Sequence, residues 1–167
     1  MQTLGYGIYN FFLIGRIDLL DESLLASLSL DAEEVSKISI QFSHWSFRSL
    51  PPPFQTPPQR DNLRYIARGI IVERGGWLTA RMDLNGDYTT HRIIWHPNSL
   101  SFLSLHGHYE ADPPSPQFII RQFQCHLRDY PVSDTERVTI SLSKKDDEVI
   151  STSGSELIVA RFAFQPL

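Results

Sequence analysis

The chain consists of short apolar or alternating runs separated by breaker residues, and stretches with the helical period of 3.6 residues are scarce. Residues 7–14 are rich in aromatic and β-branched side chains, which favour strands. Residues 38–42 alternate strictly between apolar and polar, which predicts a strand with one buried face. Residues 24–30 fit either one turn of helix or another strand. Similar strand-like runs cover residues 65–72, 77–84, 89–95, 100–105, 117–127, 137–142 and 156–164.

This pattern of about nine short strands with regular turn signals predicts an all-β protein, an antiparallel β-sandwich. A length of 167 residues with 41% apolar residues suits a single domain over residues 1–167. Residues 49–62 hold five prolines, which exclude an inner strand because proline lacks the backbone donor. We expect an extended loop there and a hairpin turn at Asn85-Gly86.

Composition and charge narrow the classes of function. A net charge of -4 argues against a nucleic-acid partner, which needs a clustered basic face. No apolar run approaches the roughly 18 residues of a membrane span, so we expect no membrane partner. The apolar start lacks a basic segment and soon meets Arg16 and Asp18, unlike a signal peptide, so the compartment stays open. Cys125 is the only cysteine, which excludes an internal disulfide.

Three sequence segments follow one another along most of the chain. The first is Gly5-Tyr-Gly-Ile-Tyr-Asn-Phe followed by Gly15-Arg-Ile-Asp-Leu, the second is Thr90-His-Arg-Ile-Ile-Trp-His-Pro followed by Leu100-Ser-Phe, and the third covers residues 123–143. In this order they resemble bacterial proteins related to glycoside hydrolase family 16. The resemblance implies a jelly roll of the concanavalin A-like lectin/glucanase type, in which a concave sheet holds a carbohydrate cleft.

The resemblance also marks the positions where active members carry the carboxylates of a Glu-x-Asp-x-Glu strand. Here those positions hold Lys37, Ser39 and Gln41, ahead of Phe42. A retaining glycosidase needs a nucleophilic carboxylate and an acid/base carboxyl about 5–5.5 Å apart. An amide has no proton to donate near neutral pH, so we expect no conventional retaining glycosidase. Lys37, Ser39 and Gln41 become candidate ligand-binding residues instead.

One tryptophan and one histidine are further candidates for ligand contact. Trp45 lies at an even spacing from Gln41, which predicts that it shares the cleft side. It would serve there as a stacking platform for a sugar, or it would pack under the proline-rich loop. The neighbouring His44 is a second candidate for ligand contact, whereas Trp95 continues the face of Ile93 and is expected in the core.

Basic residues suggest the charge of the ligand. Arg64 and Arg68 are expected to share one face of the next strand, and Arg92 to contribute from a later one. Together with Lys37 they would form a basic cleft that favours an anionic ligand. The alternative is that each arginine pairs with a nearby carboxylate.

The histidines give no firm site. His106 and His108 would share a strand face, as a zinc site requires, but no third ligand is recognisable. We therefore expect no metal site and no cofactor. His91 and His96 are expected to face solvent as polar members of an alternating strand.

Three functions remain open. The first is a non-hydrolytic domain that keeps the cleft as a binding site for a carbohydrate or another small molecule. The second is a repurposed enzyme, for example a cyclase or isomerase, with Lys37 or His44 as acid or base. The third is a scaffold or interaction domain with a vestigial cleft. Relatives have further strands ahead of residue 5, and a missing strand would leave an open sheet edge, so a homodimer is a candidate assembly.

Overall fold

The computed structural model describes residues 4–32, 36–45, 61–68, 77–126, 137–145 and 155–167. These residues include two 3₁₀ helices, Ile17–Leu19 and Pro116–Phe118. The strands are β1 (Gly7–Ile14), β2 (Leu24–Ala32), β3 (Ser36–Trp45), β4 (Asp61–Arg68), β5 (Trp77–Ala80), β6 (Tyr88–His96), β7 (Ser99–His106), β8 (Ile119–His126), β9 (Arg137–Lys144) and β10 (Ile158–Pro166). No helix in this described part is long and apolar enough to cross a membrane.

The strands form two five-stranded antiparallel sheets. Sheet A has the order β10-β1-β6-β7-β8, and sheet B has the order β5-β4-β3-β2-β9. Side chains from both sheets share one apolar core, so the two sheets pack face to face. The predicted antiparallel β-sandwich is thus confirmed, and residues 24–30 belong to a strand rather than to a helical turn.

The core contains the apolar half of each alternating strand. On β3, Ile38, Ile40 and Phe42 are buried in the core, as the alternation predicts. Trp95 on β6 is also fully buried, and its predicted place in the core is confirmed. These side chains point towards the opposite sheet, so the residues between them belong to the outer face of their own sheet.

Aromatic contacts fix which strands face each other across the core. Tyr65 of β4 stacks on Phe102 of β7, with ring centroids 5.0 Å apart. Phe42 of β3 contacts His91 of β6 in the same interior. The central strand of sheet B therefore lies opposite the central strand of sheet A.

The turn at Asn85-Gly86 is not a hairpin turn, contrary to the prediction. It lies between β5 of sheet B and β6 of sheet A, and it carries the chain from one sheet to the other. The Gly15 N–H donates to the Asp87 carbonyl at 2.7 Å, which ties this connection to the end of β1. Residues 49–60 of the predicted proline-rich loop and the end of the predicted strand at residues 69–72 lie outside the described residues.

Arg92 lies on the outer face of sheet A, so it does not join a basic cleft with Lys37. Its terminal nitrogen Nη1 instead forms an ion pair with Asp112 at 3.2 Å, which follows the alternative that each arginine pairs with a carboxylate. Its side chain is only 3% exposed, and its Nε donates to the Asn10 Oδ1 at 2.7 Å. One terminal nitrogen donates to the carbonyls of residues 109, 110 and 111 at 2.9–3.3 Å. Arg92 thereby fastens the segment after β7 over the outer face of sheet A.

Candidate functional site

The centre of sheet B carries the residues that the sequence singles out. Ser39 and Gln41 alternate with the core residues of β3, so they lie on the outer face of sheet B, as predicted. Both side chains are nevertheless shielded from solvent, with exposures of 0% for Ser39 and 8% for Gln41. Lys37 takes the preceding alternate position of the β3 backbone.

The neighbouring strand β2 adds two buried hydroxyls that the sequence analysis missed. The register pairs Ser27 with Gln41 and Ser29 with Ser39 across β2 and β3. Ser27 and Ser29 are buried as well. We call these four residues the polar block. Serine alternates with leucine in residues 24–30, and this pattern could have predicted that Ser27 and Ser29 share one face of a strand. The same residues also fit one turn of helix, so the strand face was not assigned.

Some hydroxyl groups of the polar block form no hydrogen bond within the described part of the chain. The Ser29 hydroxyl donates to the Asp31 carboxylate at 3.1 Å. Within the described part of the chain, the Ser27 and Ser39 hydroxyls have no hydrogen-bond partner. A buried polar group without a partner costs about 1–3 kcal/mol, and such groups are uncommon in structural networks. A bound ligand with hydroxyl groups would supply the missing partners.

Trp45 lies beside the polar block, against an arginine. The register pairs Arg64 with Gln41, and the Arg64 guanidinium carbon is 4.2 Å from the centroid of the Trp45 ring. This cation–π contact occupies one face of the indole. A sugar ring could therefore stack only against the opposite face of Trp45.

A transverse row of charged residues crosses sheet B next to the polar block. The register sets Lys37 between Asp31 of β2 and Arg68 of β4. Asp31 in turn pairs with Arg137 of β9. Strand alternation assigns the described side chains of this row, Asp31 and Arg137, to the same face as Ser39 and Gln41. The side chains of Lys37 and Arg68, and with them the predicted basic cleft, lie outside what the structure describes.

His44 does not come together with Lys37. It lies near the other end of the ten-residue strand β3, where the register to β4 is irregular. Its backbone carbonyl accepts a hydrogen bond from the Lys145 ammonium at 2.7 Å, which anchors the start of the segment after β9. Lys37 and His44 therefore stay separate alternatives for the acid or base of the predicted repurposed enzyme.

His91 is buried between the sheets, contrary to the expectation that it faces solvent. It is 0% exposed, and burial lowers its pKa to about 3. The Thr89 and Ser104 hydroxyls lie within hydrogen-bonding distance of its two ring nitrogens. A neutral imidazole can be accommodated at this place, whereas an imidazolium would be strongly disfavoured.

His106 and His108 have different surroundings in the described part of the chain. The exposed His108 donates from Nε2 to the Leu13 carbonyl at 2.9 Å, whereas burial lowers the pKa of His106. Among the described residues no group of three or more potential ligands has the geometry to hold a metal ion.

A cavity of about 220 Å³ lies at one end of the sandwich, away from the polar block. Most of its lining is apolar and comes from the end of β1, the first 3₁₀ helix and the start of β10, including Leu13, Ile17 and Leu157. None of the predicted ligand-binding residues lines it.

Comparisons with protein-family models, with curated proteins and with solved structures gave no significant match. The resemblance to glycoside hydrolase family 16 thus stays a hypothesis. The function has to be argued from the polar block and the Trp45–Arg64 pair.

Proposed function

We propose that the chain is a non-hydrolytic domain of the concanavalin A-like jelly-roll type, related to glycoside hydrolase family 16, that binds a carbohydrate or another polyhydroxylated small molecule on the outer face of sheet B. The observation that carries this proposal is the polar block. Its serines and glutamine occupy the central strand β3 and its neighbour β2, and two of its hydroxyls lack partners among the described residues. Hydroxyl and amide groups of this kind match the donors and acceptors of a saccharide.

The residues on β3 argue against glycoside hydrolysis at this face. Retaining hydrolysis needs two carboxyl groups about 5–5.5 Å apart. On the outer face of β3 the described side chains next to the sheet centre are the hydroxyl of Ser39 and the amide of Gln41. Neither group acts as a nucleophilic carboxylate or donates a proton to a leaving alcohol near neutral pH.

Binding at this face would include an opening step. Ser29 and Ser39 are at most 1% exposed, so a ligand reaches them only after the face opens. Association that requires a conformational change is slower than simple docking. A saturating dependence of the observed rate on ligand concentration in stopped-flow fluorescence is the expected kinetic result.

The test is calorimetric titration of the whole chain with oligosaccharides, beginning with cellohexaose, together with the quenching of tryptophan fluorescence. Ser39→Ala and Gln41→Ala each remove a hydrogen-bonding group and should weaken binding about 2- to 10-fold. Matched controls are Ser101→Ala and Gln124→Ala, because these residues are register partners on the outer face of sheet A. Equal losses in both pairs would contradict a site at the polar block.

A second candidate is a scaffold or interaction domain with a vestigial cleft. It is favoured by the near-complete shielding of Ser29 and Ser39. In that case none of a panel of glycans binds, and Ser39→Ala leaves both the fold and every interaction of the domain unchanged. Binding of any glycan that Ser39→Ala abolishes would reject this candidate.

A further inference from the structure

A second candidate site lies at the end of the sandwich, where the pairing of β1 with β10 is irregular. The register shifts between Phe12 and Leu13, and Ala160 of β10 falls outside the regular pairing. Such a bulge bends its strand and increases the local twist. The cavity of about 220 Å³ lies next to this bulge, because Leu13 from β1 and Ile158 from β10 line it.

The inner wall of the cavity is part of the hydrophobic core. Leu13, Ile17 and Leu20 line the cavity and belong to the core cluster, and Leu157 packs against that cluster. Apolar atoms that line a cavity have fewer dispersion contacts than atoms in a packed core, and a bound apolar group supplies such contacts. An apolar cavity of about 150 Å³ takes up benzene. A cavity of about 220 Å³ therefore has room for a benzene ring with a short substituent.

The outer wall of the cavity reaches the protein surface. Leu19 of the first 3₁₀ helix and Ile158 line the cavity, and both are among the exposed large apolar side chains of the described residues. Ligand sites are typically concave and mostly apolar, with a few polar groups that orient the ligand. A small molecule can therefore enter this cavity at Leu19 while both sheets stay closed.

One hydrogen-bond donor lines the cavity in a fixed orientation. The Arg16 guanidinium donates from Nε and Nη2 to the two carboxylate oxygens of Asp18, at 2.8 and 2.6 Å. Asp18 is buried and also accepts a hydrogen bond from the Leu84 N–H at 3.1 Å, which holds the pair in place. A guanidinium has more N–H donors than this pair uses. Arg16 can therefore donate to a ligand atom in the cavity as well.

The surrounding carboxylates determine which acceptor suits Arg16. The hydrogen bond to Asp18 raises the pKa of Arg16, and the negative charges of Asp87 and Asp83 raise it further. Glu156 also lines the cavity. These carboxylates would repel an anionic group bound at Arg16. A neutral oxygen, such as that of a carbonyl group, accepts the hydrogen bond without this repulsion.

We propose that this cavity binds a small neutral molecule that combines an aromatic or branched apolar body with one hydrogen-bond acceptor. The apolar body packs against Leu13, Ile17 and Leu157, and the acceptor receives a hydrogen bond from Arg16. The cavity lies away from the polar block on sheet B. The chain thus has two separate binding sites, and failure of either proposal leaves the other standing.

The experiment is an NMR titration of the whole chain, labelled at the methyl groups of isoleucine, leucine and valine. The probes are acetophenone, benzoate and toluene, which share a benzene ring and carry a neutral acceptor, an anionic group and no acceptor, respectively. We expect acetophenone to bind with a Kd of about 0.1–1 mM. The largest shifts should fall on the methyl groups of Leu13, Ile17 and Leu157. Benzoate should bind at least about tenfold more weakly than acetophenone.

Two variants test the apolar part of the site. Leu157→Phe fills the cavity and should weaken the binding of acetophenone and toluene about tenfold or more. Leu19→Ser removes apolar contact area at an exposed position, where the fold tolerates it, and should weaken both about 2- to 3-fold. Its matched control is Leu167→Ser, because Leu167 is 61% exposed and Leu19 is 69% exposed. The control should change neither affinity.

A third variant tests the hydrogen bond from Arg16. Arg16→Lys keeps the positive charge beside Asp18 but loses the planar group of donors, so acetophenone should bind about 3- to 10-fold more weakly. Toluene has no acceptor, and its affinity should stay within about twofold. The matched control is Arg81→Lys, because Arg81 also pairs with a carboxylate two residues later, that of Asp83.

Each contrary outcome overturns a stated part of the inference. Shifts spread over both sheets, or affinities that Leu157→Phe and Leu19→Ser leave unchanged, overturn the location of the site. Benzoate binding as tightly as acetophenone, or equal effects of Arg16→Lys and Arg81→Lys, overturn the neutral acceptor as the ligand class. No binding of any probe at about tenfold above the expected Kd overturns the whole inference.

Discussion

The imidazole of His91 meets the ring of Phe42 edge-on, with ring centroids 4.7 Å apart, between the central strands of the two sheets. On its other side, His91 lies 2.8 Å from the Ser104 hydroxyl, which accepts a hydrogen bond from the Tyr65 hydroxyl at 2.7 Å. A chain of neutral polar groups therefore crosses the apolar core from sheet A to sheet B. Such a buried network is stable only while each member keeps its partner and stays uncharged.

The first prediction concerns acid sensitivity. Burial lowers the pKa of His91 from 6.5 to about 3, so below about pH 6.5 the unfolded chain binds a proton that the folded chain does not. The free energy of unfolding should therefore fall with decreasing pH between about 6.5 and 3, by up to about 1.4 kcal/mol per pH unit. Urea unfolding at several pH values measures this slope. His91→Gln should flatten it, whereas His126→Gln, at an exposed position on β8, should keep it; an unchanged slope in His91→Gln would disprove the assignment.

The second prediction compares two serines on β3. The buried Ser43 hydroxyl donates to the Leu24 carbonyl at 2.6 Å, whereas the Ser39 hydroxyl has no partner among the described residues. Ser43→Ala should therefore lower the free energy of unfolding by about 1 kcal/mol or more. Ser39→Ala should leave it unchanged or raise it slightly, because the substitution removes a polar group that is already unsatisfied. Equilibrium unfolding in urea decides; a larger loss in Ser39→Ala would show that its hydroxyl has a structural partner.

Much of the sandwich could be predicted because hydrophobic alternation is a local property. The strict alternation at residues 38–42 predicts both a strand and its buried face, which contains Ile38, Ile40 and Phe42. The role of the Asn85-Gly86 turn could not be predicted in this way. A turn dipeptide shows where the chain bends but not whether the next strand joins the same sheet, which depends on packing across the whole molecule.

The candidate site was predictable along one strand only. Ser39 and Gln41 were identified on β3, but Ser27 and Ser29 become their neighbours through the register of β2, which no local pattern reveals. The burial of His91 and Arg92 could not be predicted from local sequence either. Polar members of an alternating strand usually face water, yet both are buried here because distant residues supply their hydrogen bonds.

The third prediction concerns the attachment of the segment after β7. Arg92 holds Asn10 and three backbone carbonyls at once, so Arg92→Lys should lower the free energy of unfolding by about 3–5 kcal/mol, since a lysine cannot satisfy all of these partners. Hydrogen exchange should become faster in residues 107–118. Binding at the outer face of sheet B should persist at temperatures where the variant is folded. The control Arg161→Gln alters a half-exposed ion pair with Glu110, and its cost should stay below about 1 kcal/mol.

The fourth prediction tests the close approach of β1 and β10 at Gly7. A Cβ at this position would lie 2.6 Å from the Gln165 carbonyl oxygen and would also contact the Phe164 ring, so one of the two strands would have to move. Gly7→Ala should therefore cost about 1–3 kcal/mol and loosen β10, seen as faster hydrogen exchange of residues 158–166. Gly86 provides the matched control, because its Cβ would meet nothing within 4 Å and the glycines with positive φ among the described residues are Gly15 and Gly107. Gly86→Ala should be neutral or stabilise the fold by up to about 1 kcal/mol. Equal destabilisation by both substitutions would contradict the tight pairing of β1 with β10.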